Sequence, residues 1–432
     1  MRAMKDSGIP WIEEIPENWN VFNIRHLFSF GKGLPITKEN LKEKGVSVIS
    51  YGQIHSKLNK GTSIIPELIR YVDDSYLTSN PESLTKKGDF IFADTSEDVL
   101  GCGNCVYVDK DITLFAGYHT IILRNKAKES SKYLAYLFST DAWRKQIRER
   151  VAGVKLFSVS QKILRETSII LPPFVEQERI VDCLDTECAR IDAVMEQTRA
   201  SIEEYKKLKQ SIITEAVTKG IRKDRPMKDS GIDWIGKIPS DWTVSSIGQK
   251  IVFEGGGQPP LTEFIHEPRE GYVRLIQNRD YKTDAYLTYV PANSVSKFCN
   301  CDDVMIGRYG PPTFVLHRGL EGAYNVALMK AIPQEIDREW MSFVLQEYTM
   351  LKYIESFSKR AAGQDGVNPV ILKKYPLPLP SIEEQKEIAD YLNTTCASID
   401  GIIAQKERFV SEMESYKKSL IFEYVTGKKE IV

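Results

Sequence analysis

The chain has 432 residues, of which 42% are hydrophobic and 27% charged, and its formal net charge is −1. This composition is typical of a globular protein, and the length allows two or three domains with cores of their own. No run approaches the roughly 20 apolar residues of a membrane span, so we expect a cytoplasmic protein without a membrane partner. The near-zero charge excludes nucleic-acid binding through bulk positive charge and leaves only local surfaces for it.

The sequence contains two segments twice, in alternating order. Residues 4–24 match 227–247 at 13 of 21 positions, with an offset of 223, and 171–220 match 379–428 at 20 of 50, with an offset of 208. The offsets differ by 223 − 208 = 15 residues, so the second copy has the shorter middle. A repeated frame around unlike middles indicates two recognition modules on one scaffold.

The first module is predicted to span residues 1–170. Short apolar runs bounded by Gly, Pro and Asn at 46–50, 89–92 and 119–123 are typical of strands. Residues 131–150 have the pattern of one helix. Together these patterns predict a mixed α/β globule.

A long helix is predicted within the next segment, 171–225. No Pro or Gly interrupts residues 177–218, and apolar or small side chains recur there at alternating spacings of three and four. This is the 3.5-residue period of a helix seam. A helix of about 43 residues would be roughly 60–65 Å long, and its single apolar stripe requires a partner.

The second half repeats this order, with a globule at 226–378 and a helix at 379–432. Strand-like and helical patterns recur at 272–276, 303–306, 327–329 and 338–358. Ser381 and Glu384 have the spacing of a capping box, in which the hydroxyl and the carboxylate each bond an amide of the helix start. Gly220 and Gly427 suit the ends of the two long helices.

The two long helices are expected to pair with each other, because each is covalently available to the other. The expected seam residues are Leu184, Ile191, Met195 and Ile202 in the first helix and Leu392, Ile399, Ile403 and Val410 in the second.

Motifs for catalysis, nucleotide binding and metal binding are lacking in the sequence. There is no Walker A sequence, and no Gly-x-Gly-x-x-Gly follows a strand and opens a helix. Cys102 and Cys105 have zinc-knuckle spacing, but no His lies at finger spacing from them. Asp94 with Glu97 and Asp98 is interpreted as a solvated loop. We therefore expect no catalytic residue, no metal site and no cofactor bound by this chain.

The middles contain loop residues of the types that contact DNA. An Arg fork bonds two acceptors of guanine, a side-chain amide matches adenine, and an aromatic ring packs on sugar or base. The candidates are Tyr51, Gln53, His55, Arg124 and Lys155 in the first module and Arg274, Gln277, Asn278, Arg279, Arg308 and Tyr309 in the second. Any one of them has the alternative role of a surface or capping residue, and their common placement on matching loops favours DNA contact.

Several motifs of the repeat are shared with one protein family. They are the Gly-Ile-x-Trp-Ile-x-x-Ile-Pro-x-x-Trp openings at 8–19 and 231–242, the Leu-Pro and Glu-Gln entrances to both long helices, Ala116-Gly-Tyr-His119 and Ala362-Gly-Gln-Asp-Gly366. With these motifs the chain resembles the specificity subunit of type I restriction–modification enzymes over nearly its whole length.

The resemblance implies an α+β architecture with a pseudo-twofold A-B-A-B repeat. Two mixed α/β target-recognition domains, at 1–170 and 226–378, would be separated by two conserved spacer helices, at 171–225 and 379–432, that pair as an antiparallel coiled coil. Each recognition domain would read one part of a bipartite, asymmetric site in double-stranded DNA.

The resemblance also implies partners and their cofactors. Two modification (methyltransferase) subunits would use S-adenosylmethionine for adenine methylation, and restriction/translocase subunits would use ATP. Three alternatives stay open on the sequence: a specificity subunit of a related type IIB-like system, a DNA-modifying enzyme, against which the missing cofactor loop argues, and a coiled-coil protein–protein scaffold that does not bind DNA.

Overall fold

The computed structural model describes residues 2–126, 129–153, 155–233, 235–309, 314–358 and 367–431, with the backbone alone for 355–358. It divides into two compact units: unit 1 comprises Met1–Thr198 with Phe409–Val432, and unit 2 comprises Arg199–Arg408. Each unit contains one mixed α/β globule and a part of both long helices. The domain boundaries at 170, 225 and 378 follow the sequence repeat and stay predictions.

The globule of unit 1 has short strands and helices that alternate along the chain. Its strands are β1 Met4–Asp6, β2 Glu14–Pro16, β3 Asn20–Asn23, β4 Phe28–Lys32, β5 Val46–Ile49, β6 Arg70–Val72, β7 Leu84–Thr85, β8 Phe90–Ala93, β9 Thr95–Ser96, β10 Cys105–Tyr107, β11 Leu114–Ala116, β12 Thr120–Asn125, β13 Phe157–Ser158 and β14 Ser168–Leu171. Its helices are α1 Ile24–Leu27, α2 Tyr51–Ile54, α3 Tyr76–Ser79, α4 Ser131–Ser139, α5 Asp141–Arg148 and α6 Gln161–Arg165.

Two four-stranded sheets form this globule. One has the strand order β10-β8-β12-β4 and is antiparallel throughout, and the other has the order β6-β5-β11-β7 with β5 and β11 parallel. The helix side of the first sheet is an aromatic core, in which Phe90 and Phe92 contact Phe138 of α4 at ring distances of 5.0 and 5.6 Å. Trp143 of α5 closes this cluster.

The globule of unit 2 also consists of short strands and helices. Its strands are β15 Met227–Asp229, β16 Lys237–Pro239, β17 Thr243–Ser246, β18 Ile251–Gly255, β19 Tyr272–Ile276, β20 Tyr289–Pro291, β21 Phe298–Cys299, β22 Val304–Gly307, β23 Leu316–His317, β24 Gly322–Tyr324, β25 Leu328–Pro333 and β26 Pro376–Leu379. The long first helix of the chain is α7 Phe174–Lys219, and the later helices are α8 Ile247–Lys250, α9 Arg338–Val344, α10 Tyr348–Ser358, α11 Pro369–Leu372 and α12 Ile382–Val425.

The sheets of unit 2 repeat those of unit 1 strand by strand. Their orders are β18-β25-β22-β23 and β20-β19-β24-β21, with β19 and β24 parallel. Read from its other edge, as β23-β22-β25-β18, the first sheet of unit 2 matches the order β10-β8-β12-β4 of unit 1. The unlike middles of the sequence therefore share one topology, and the strands predicted in both are confirmed.

The single helices predicted at 131–150 and 338–358 are each two helices. Thr140 has an extended conformation and its hydroxyl accepts a hydrogen bond from Trp143 N (3.2 Å), so α4 ends and α5 begins there. Between α9 and α10, the Glu347 carboxylate accepts from the amides of Thr349 and Met350 (2.9 and 2.8 Å). Side chains that cap amides locally compete with the continuation of a helix, which apolar spacing alone does not reveal.

The long helices α7 and α12 are antiparallel within each unit. In unit 1, Asp192 bonds Lys417 (2.7 Å), and the stretch from Leu184 to Met195 shares a core with Leu420 and Tyr424. In unit 2, the Lys406 ammonium lies over the Tyr205 ring and Lys209 bonds Asp400 (2.6 Å). These contacts confirm the predicted antiparallel pair and the α+β class, and all eight expected seam residues are buried.

The repeated Glu of the two helix entrances fastens the start of each globule. In unit 2, Trp242 Nε1 donates to Glu384 Oε2 (3.0 Å), and Arg225 bonds the same carboxylate. The Ser381 hydroxyl accepts from Glu384 N (3.3 Å), but the expected reciprocal bond is replaced because the carboxylate contacts Trp242 and Arg225. Unit 1 repeats the arrangement with Trp19, Arg2 and Glu176 (Nε1 to Oε2 3.1 Å).

The repeated Gln caps a helix of each globule. Gln177 Oε1 accepts from Ser130 N, at the start of α4 (3.0 Å), and Gln385 Oε1 accepts from Asp337 N, at the start of α9 (2.7 Å). The Glu-Gln motif is therefore a structural joint between a long helix and its globule.

Candidate nucleic-acid interface

The ends of four strands in unit 1 bring together the loops that contain Gly33, Tyr51, Asp94 and His119. Four backbone hydrogen bonds join these loops: Gly33 N to Thr120 O (3.1 Å), Leu34 N to Ala116 O (2.8 Å), Asp94 N to His119 O (3.1 Å) and Gly117 N to Ile49 O (2.7 Å). Because amides and carbonyls make these bonds, the loop side chains are left for other contacts.

Unit 2 joins its loops by the same four bonds. They are Gly256 N to Leu328 O (3.0 Å), Gly257 N to Tyr324 O (3.0 Å), Arg308 N to Ala327 O (2.8 Å) and Asn325 N to Ile276 O (3.1 Å). The match places Gly33 with Gly256, Tyr51 with Asn278, Asp94 with Arg308, Tyr118 with Val326 and His119 with Ala327. We call residues 33–34, 50–55, 94–98 and 117–119 strand-end surface 1, and residues 256–257, 277–279, 308–309 and 325–327 strand-end surface 2.

The fold requires glycine at one position of both surfaces. A Cβ on Gly33 would lie 1.9 Å from Gly117 O, and a Cβ on Gly256 would lie 2.1 Å from Asn325 O. Both oxygens belong to residues whose amides bond the neighbouring strand, Gly117 N to Ile49 O and Asn325 N to Ile276 O, so a side chain at either glycine would strain these bonds. The two surfaces thus keep the residue that their shared backbone needs, and differ in the side chains around it.

Surface 1 is aromatic and acidic. The Tyr51 ring meets the rings of Tyr118 and His119 edge-on, at 5.6 and 5.4 Å. Asp94 Oδ1 accepts from Thr95 Oγ1 (2.7 Å) and lies 3.3 Å from His119 Nδ1. His119 has φ +54, a conformation that residues other than Gly rarely adopt, so the surrounding bonds hold its ring beside the carboxylate.

A cleft of about 510 Å³ opens beside these residues. Its lining residues are Tyr51, Gly52, His55, Ser96, Glu97, Asp98, Leu100, Gly101 and Asn104. Both ring nitrogens of His55 have partners within the protein, the Thr95 carbonyl (2.8 Å) and the Asn104 amide (3.2 Å). His55 therefore shapes the cleft wall, and Tyr51 also lines the cleft.

Surface 2 contains the side-chain amide of Asn278, and a neighbouring histidine fixes its position. His317 Nε2 donates to Asn278 Oδ1 (2.7 Å), and the His317 ring stacks on Tyr281 at 4.3 Å. Burial, and to a smaller extent the charge of Lys282, lowers the pKa of His317 below its usual value. The imidazole is thus kept neutral, and it orients Asn278 without adding charge.

Arginine and tyrosine complete surface 2. The Arg308 guanidinium lies 5.2 Å from the Tyr309 ring, and its Nη1 donates to Val326 O (3.3 Å). Arg279 lies over Tyr286 at 5.3 Å. Each guanidinium is supported by an aromatic face, which leaves its fork oriented for planar acceptors.

The model of one protein family, described as the type I restriction modification DNA specificity domain, matches residues 16–204 and 239–408. The chain belongs to this family. Because the two matches cover most of both halves, each half carries a DNA specificity domain, and the chain is a DNA-sequence-recognition protein of the specificity-subunit class.

Relatives of this specificity-domain chain align along most of its length. A protein of Methanocaldococcus jannaschii, provisionally named the type I restriction enzyme MjaX specificity subunit, is 27% identical over 96% of this chain and 95% of its own. The EcoKI specificity subunit of Escherichia coli K12 is 20% identical over 96% and 90%.

Solved structures share the fold of the specificity-domain chain. A chain from a study of complex assembly and conformational transition of the type I R-M system superposes with a TM-score of 0.71, at 17% identity, over 96% of this chain and 99% of that one. The HsdS subunit of Thermoanaerobacter tengcongensis gives 0.50 at 18% identity, over 96% and 98%.

The specificity-domain fold gathers some of the predicted DNA-contact residues and not others. Tyr51 belongs to surface 1, Asn278, Arg279, Arg308 and Tyr309 belong to surface 2, and the exposed Lys155 lies two residues before β13, which pairs with β9 next to Asp94. Arg124 lies toward the opposite end of β12 and donates to the carbonyls of Glu82 and Leu84 (2.6 and 2.8 Å). The structure does not bring Arg124 to surface 1.

Three further candidates have partners within the protein. Gln53 Oε1 accepts from Ser50 N (3.1 Å) and caps α2. Gln277 Nε2 donates to Thr288 Oγ1 (3.2 Å), and Arg274 Nη2 donates to Asp284 Oδ1 (3.1 Å). These bonds give the three side chains structural roles, and their contact with DNA stays a prediction.

Asp94 and His119 were not among the predicted DNA-contact residues. The signal that finds them is the strand match: Asp94 follows the strand 90–93 as Arg308 follows 304–307. The family motif at 362–366 lies outside the described residues. Within the described residues, no helix is long and apolar enough to span a membrane, and no cluster of three potential metal ligands occurs.

Proposed function

We propose that this chain reads a bipartite, asymmetric site in double-stranded DNA, one part with strand-end surface 1 and the other with strand-end surface 2. The observation that carries the proposal is the shared backbone frame with unlike polar side chains. Two identical readers would select a symmetric site, whereas two readers of one architecture and different chemistry select two different sequences. Backbone amides and basic residues position a reader on phosphates, and side chains at base edges provide specificity.

The chain is proposed to be a non-catalytic, cytoplasmic subunit that binds no cofactor. Its partners would be two modification subunits, which use S-adenosylmethionine to methylate adenine, and restriction/translocase subunits, which use ATP. The names of the relatives, which are specificity subunits of type I restriction enzymes, support this assignment. The family membership and the polar strand-end surfaces favour DNA recognition over a scaffold that joins proteins only.

Mapping methylated adenines in a genome that expresses the chain with its modification subunits tests the proposal. We expect one motif with two specified parts separated by a gap of fixed length. Exchanging residues 1–170 for the equivalent segment of a relative should replace one part and leave the other unchanged. A motif without a gap, or one that changes in both parts, would contradict reading by separate units.

A further inference from the structure

Asp94 and Arg308 occupy the same place in the two units. Each is the first residue after an inner strand of the first sheet, β8 or β22, and the backbone N–H of each donates to the equivalent carbonyl, His119 O or Ala327 O (3.1 and 2.8 Å). Their Cα positions are thus fixed by the same backbone bonds, so any difference between them lies in the side chain.

The two side chains have opposite hydrogen-bonding character. An ionised Asp only accepts hydrogen bonds, and Arg only donates them. A residue that the fold requires is kept in both units, as Gly33 and Gly256 are. Because the matched position holds an acceptor in one unit and a donor in the other, the shared backbone does not require either side chain, and the difference is available for the task in which the two units differ.

Each side chain is held in place yet keeps free bonding capacity. The Asp94 side chain is 35% exposed, and its Oδ1 is positioned by Thr95 and His119. Within the described residues, no hydrogen bond to Asp94 Oδ2 is observed. Arg308 uses Nη1 for Val326 O and rests on Tyr309, which leaves Nη2 without a hydrogen bond in the part of the chain that the structure describes.

We infer that Asp94 and Arg308 are specificity-determining residues that read bases of opposite character. Asp94 accepts from an exocyclic amino group in the major groove, the N4 of cytosine or the N6 of adenine, and Arg308 donates to O6 and N7 of guanine. The inference rests on the proposed function, and it assigns one base of each half-site to a named residue.

Selection from a randomised duplex library tests the inference, with the full-length chain in complex with its modification subunits. The variants are Asp94→Asn, whose amide both accepts and donates, and Arg308→Lys, which keeps the charge and loses the fork. We expect Asp94→Asn to relax one adenine or cytosine position in one half-site, and Arg308→Lys to relax one guanine position in the other. Discrimination at that position should fall by about 5- to 150-fold.

Matched controls separate a reading role from a general effect of charge. Asp111→Asn changes an exposed acid before β11, away from surface 1, and Arg318→Lys changes an Arg that bonds Glu339 of α9 (2.7 Å). Both controls should select the wild-type motif. In each reading variant, the half-site of the other unit is a further internal control.

Base analogues give a second readout that does not depend on new specificity. Replacing one guanine by 7-deazaguanine removes the N7 acceptor, and purine or 2-pyrimidinone lacks the amino group. A single substitution of each kind should weaken binding by the wild-type complex and have no added effect in the matching variant.

Three outcomes are distinguishable. If the wild-type complex selects no motif, the proposed function itself fails. If it selects a bipartite motif that both variants reproduce, or if analogue effects are the same in wild type and variant, the base assignment is overturned while DNA recognition stands. If a variant loses all duplex binding, the analogue measurements on the wild-type complex decide the question. If no guanine and no amino-bearing base is sensitive to substitution there, the base assignment is overturned as well.

Discussion

Single carboxylates fasten each globule to a long helix. Glu384 is nearly buried, with 3% of its side chain exposed, and its partner Arg225 is 13% exposed. The matching pair in unit 1, Arg2 with Glu176, is more open, at 19% and 24%. Burial decides the strength of such pairs, because a charge that loses its partner away from water is costly.

Glu384→Gln is expected to lower the free energy of unfolding of unit 2 by about 3 kcal/mol. The amide still accepts from Trp242, but Arg225 keeps only the exposed Asp241 as an ionised partner (2.6 Å), so the loss lies at the lower end of the roughly 3–5 kcal/mol for breaking a buried pair. Guanidinium unfolding followed by tryptophan fluorescence measures the effect. Glu176→Gln should cost less, and Glu387→Gln, in an exposed pair with Arg222, should have little effect. Equal losses for Glu384→Gln and Glu387→Gln would show that the buried joint is not important.

The element that organises both units is the helix pair. Its seam residues alternate at spacings of three and four, as in a coiled coil, and charged pairs such as Asp192 with Lys417 lie beside the seam. A glycine in the left-handed conformation ends both helices, with φ +77 at Gly220 and +71 at Gly427. The two long helices therefore terminate in the same way at their C-terminal ends.

Ile191→Asp and Ile399→Asp are each expected to disrupt the helix pair and weaken assembly with the modification subunits. Both side chains are buried, 4% and 6% exposed. The loss should exceed the roughly 2–5 kcal/mol of an Ile to Ala change, because the carboxylate also lacks a partner. Unfolding and co-purification measure it.

The exposed Ala193 and Ala397, two residues from these positions, provide matched controls. Ala193→Asp and Ala397→Asp should change stability by no more than about 0.5 kcal/mol. Normal assembly of the Ile191→Asp and Ile399→Asp proteins would mean that these residues are not part of the seam.

At the scale of the whole molecule, the helices link two readers along one chain. Every residue of α7 and α12 belongs to a continuous helix, over Phe174–Lys219 and Ile382–Val425. The length of the gap in the target is therefore proposed to depend on the number of helical residues, while the bases of each half depend on the strand-end surfaces.

Deleting residues 201–207 of α7 together with 402–408 of α12 should shorten the gap by about three base pairs, since a heptad spans roughly 10 Å. The two heptads lie opposite each other in the register that Lys209 and Asp400 define, so the seam keeps its phase. Both half-sites should be unchanged in the mapped motif. Deleting 201–207 alone puts the seam out of register and should impair assembly. A double deletion with an unchanged gap would contradict the proposed dependence.

The repeat, the two long helices, the positions of the seam and the class of the protein could be predicted from the sequence alone. These features are recognisable from periodic spacing and from near-identical segments, because a coiled-coil seam and a helix entrance need the same residue types at each occurrence. The Glu-Gln entrance was visible as a motif, but its role as a joint to Trp and Arg was not, since those partners lie far away along the chain.

The loop residues that share a surface could not be predicted from the sequence, because their grouping depends on tertiary contacts. Asp94 and Arg308 are residues of different types, and their equivalence appears only when strands β8 and β22 are matched through backbone bonds. Arg124 was a candidate for DNA contact together with Arg308, yet it lies toward the far end of its strand. Strand order and the paths of loops depend on pairings between distant segments, which local spacing does not encode.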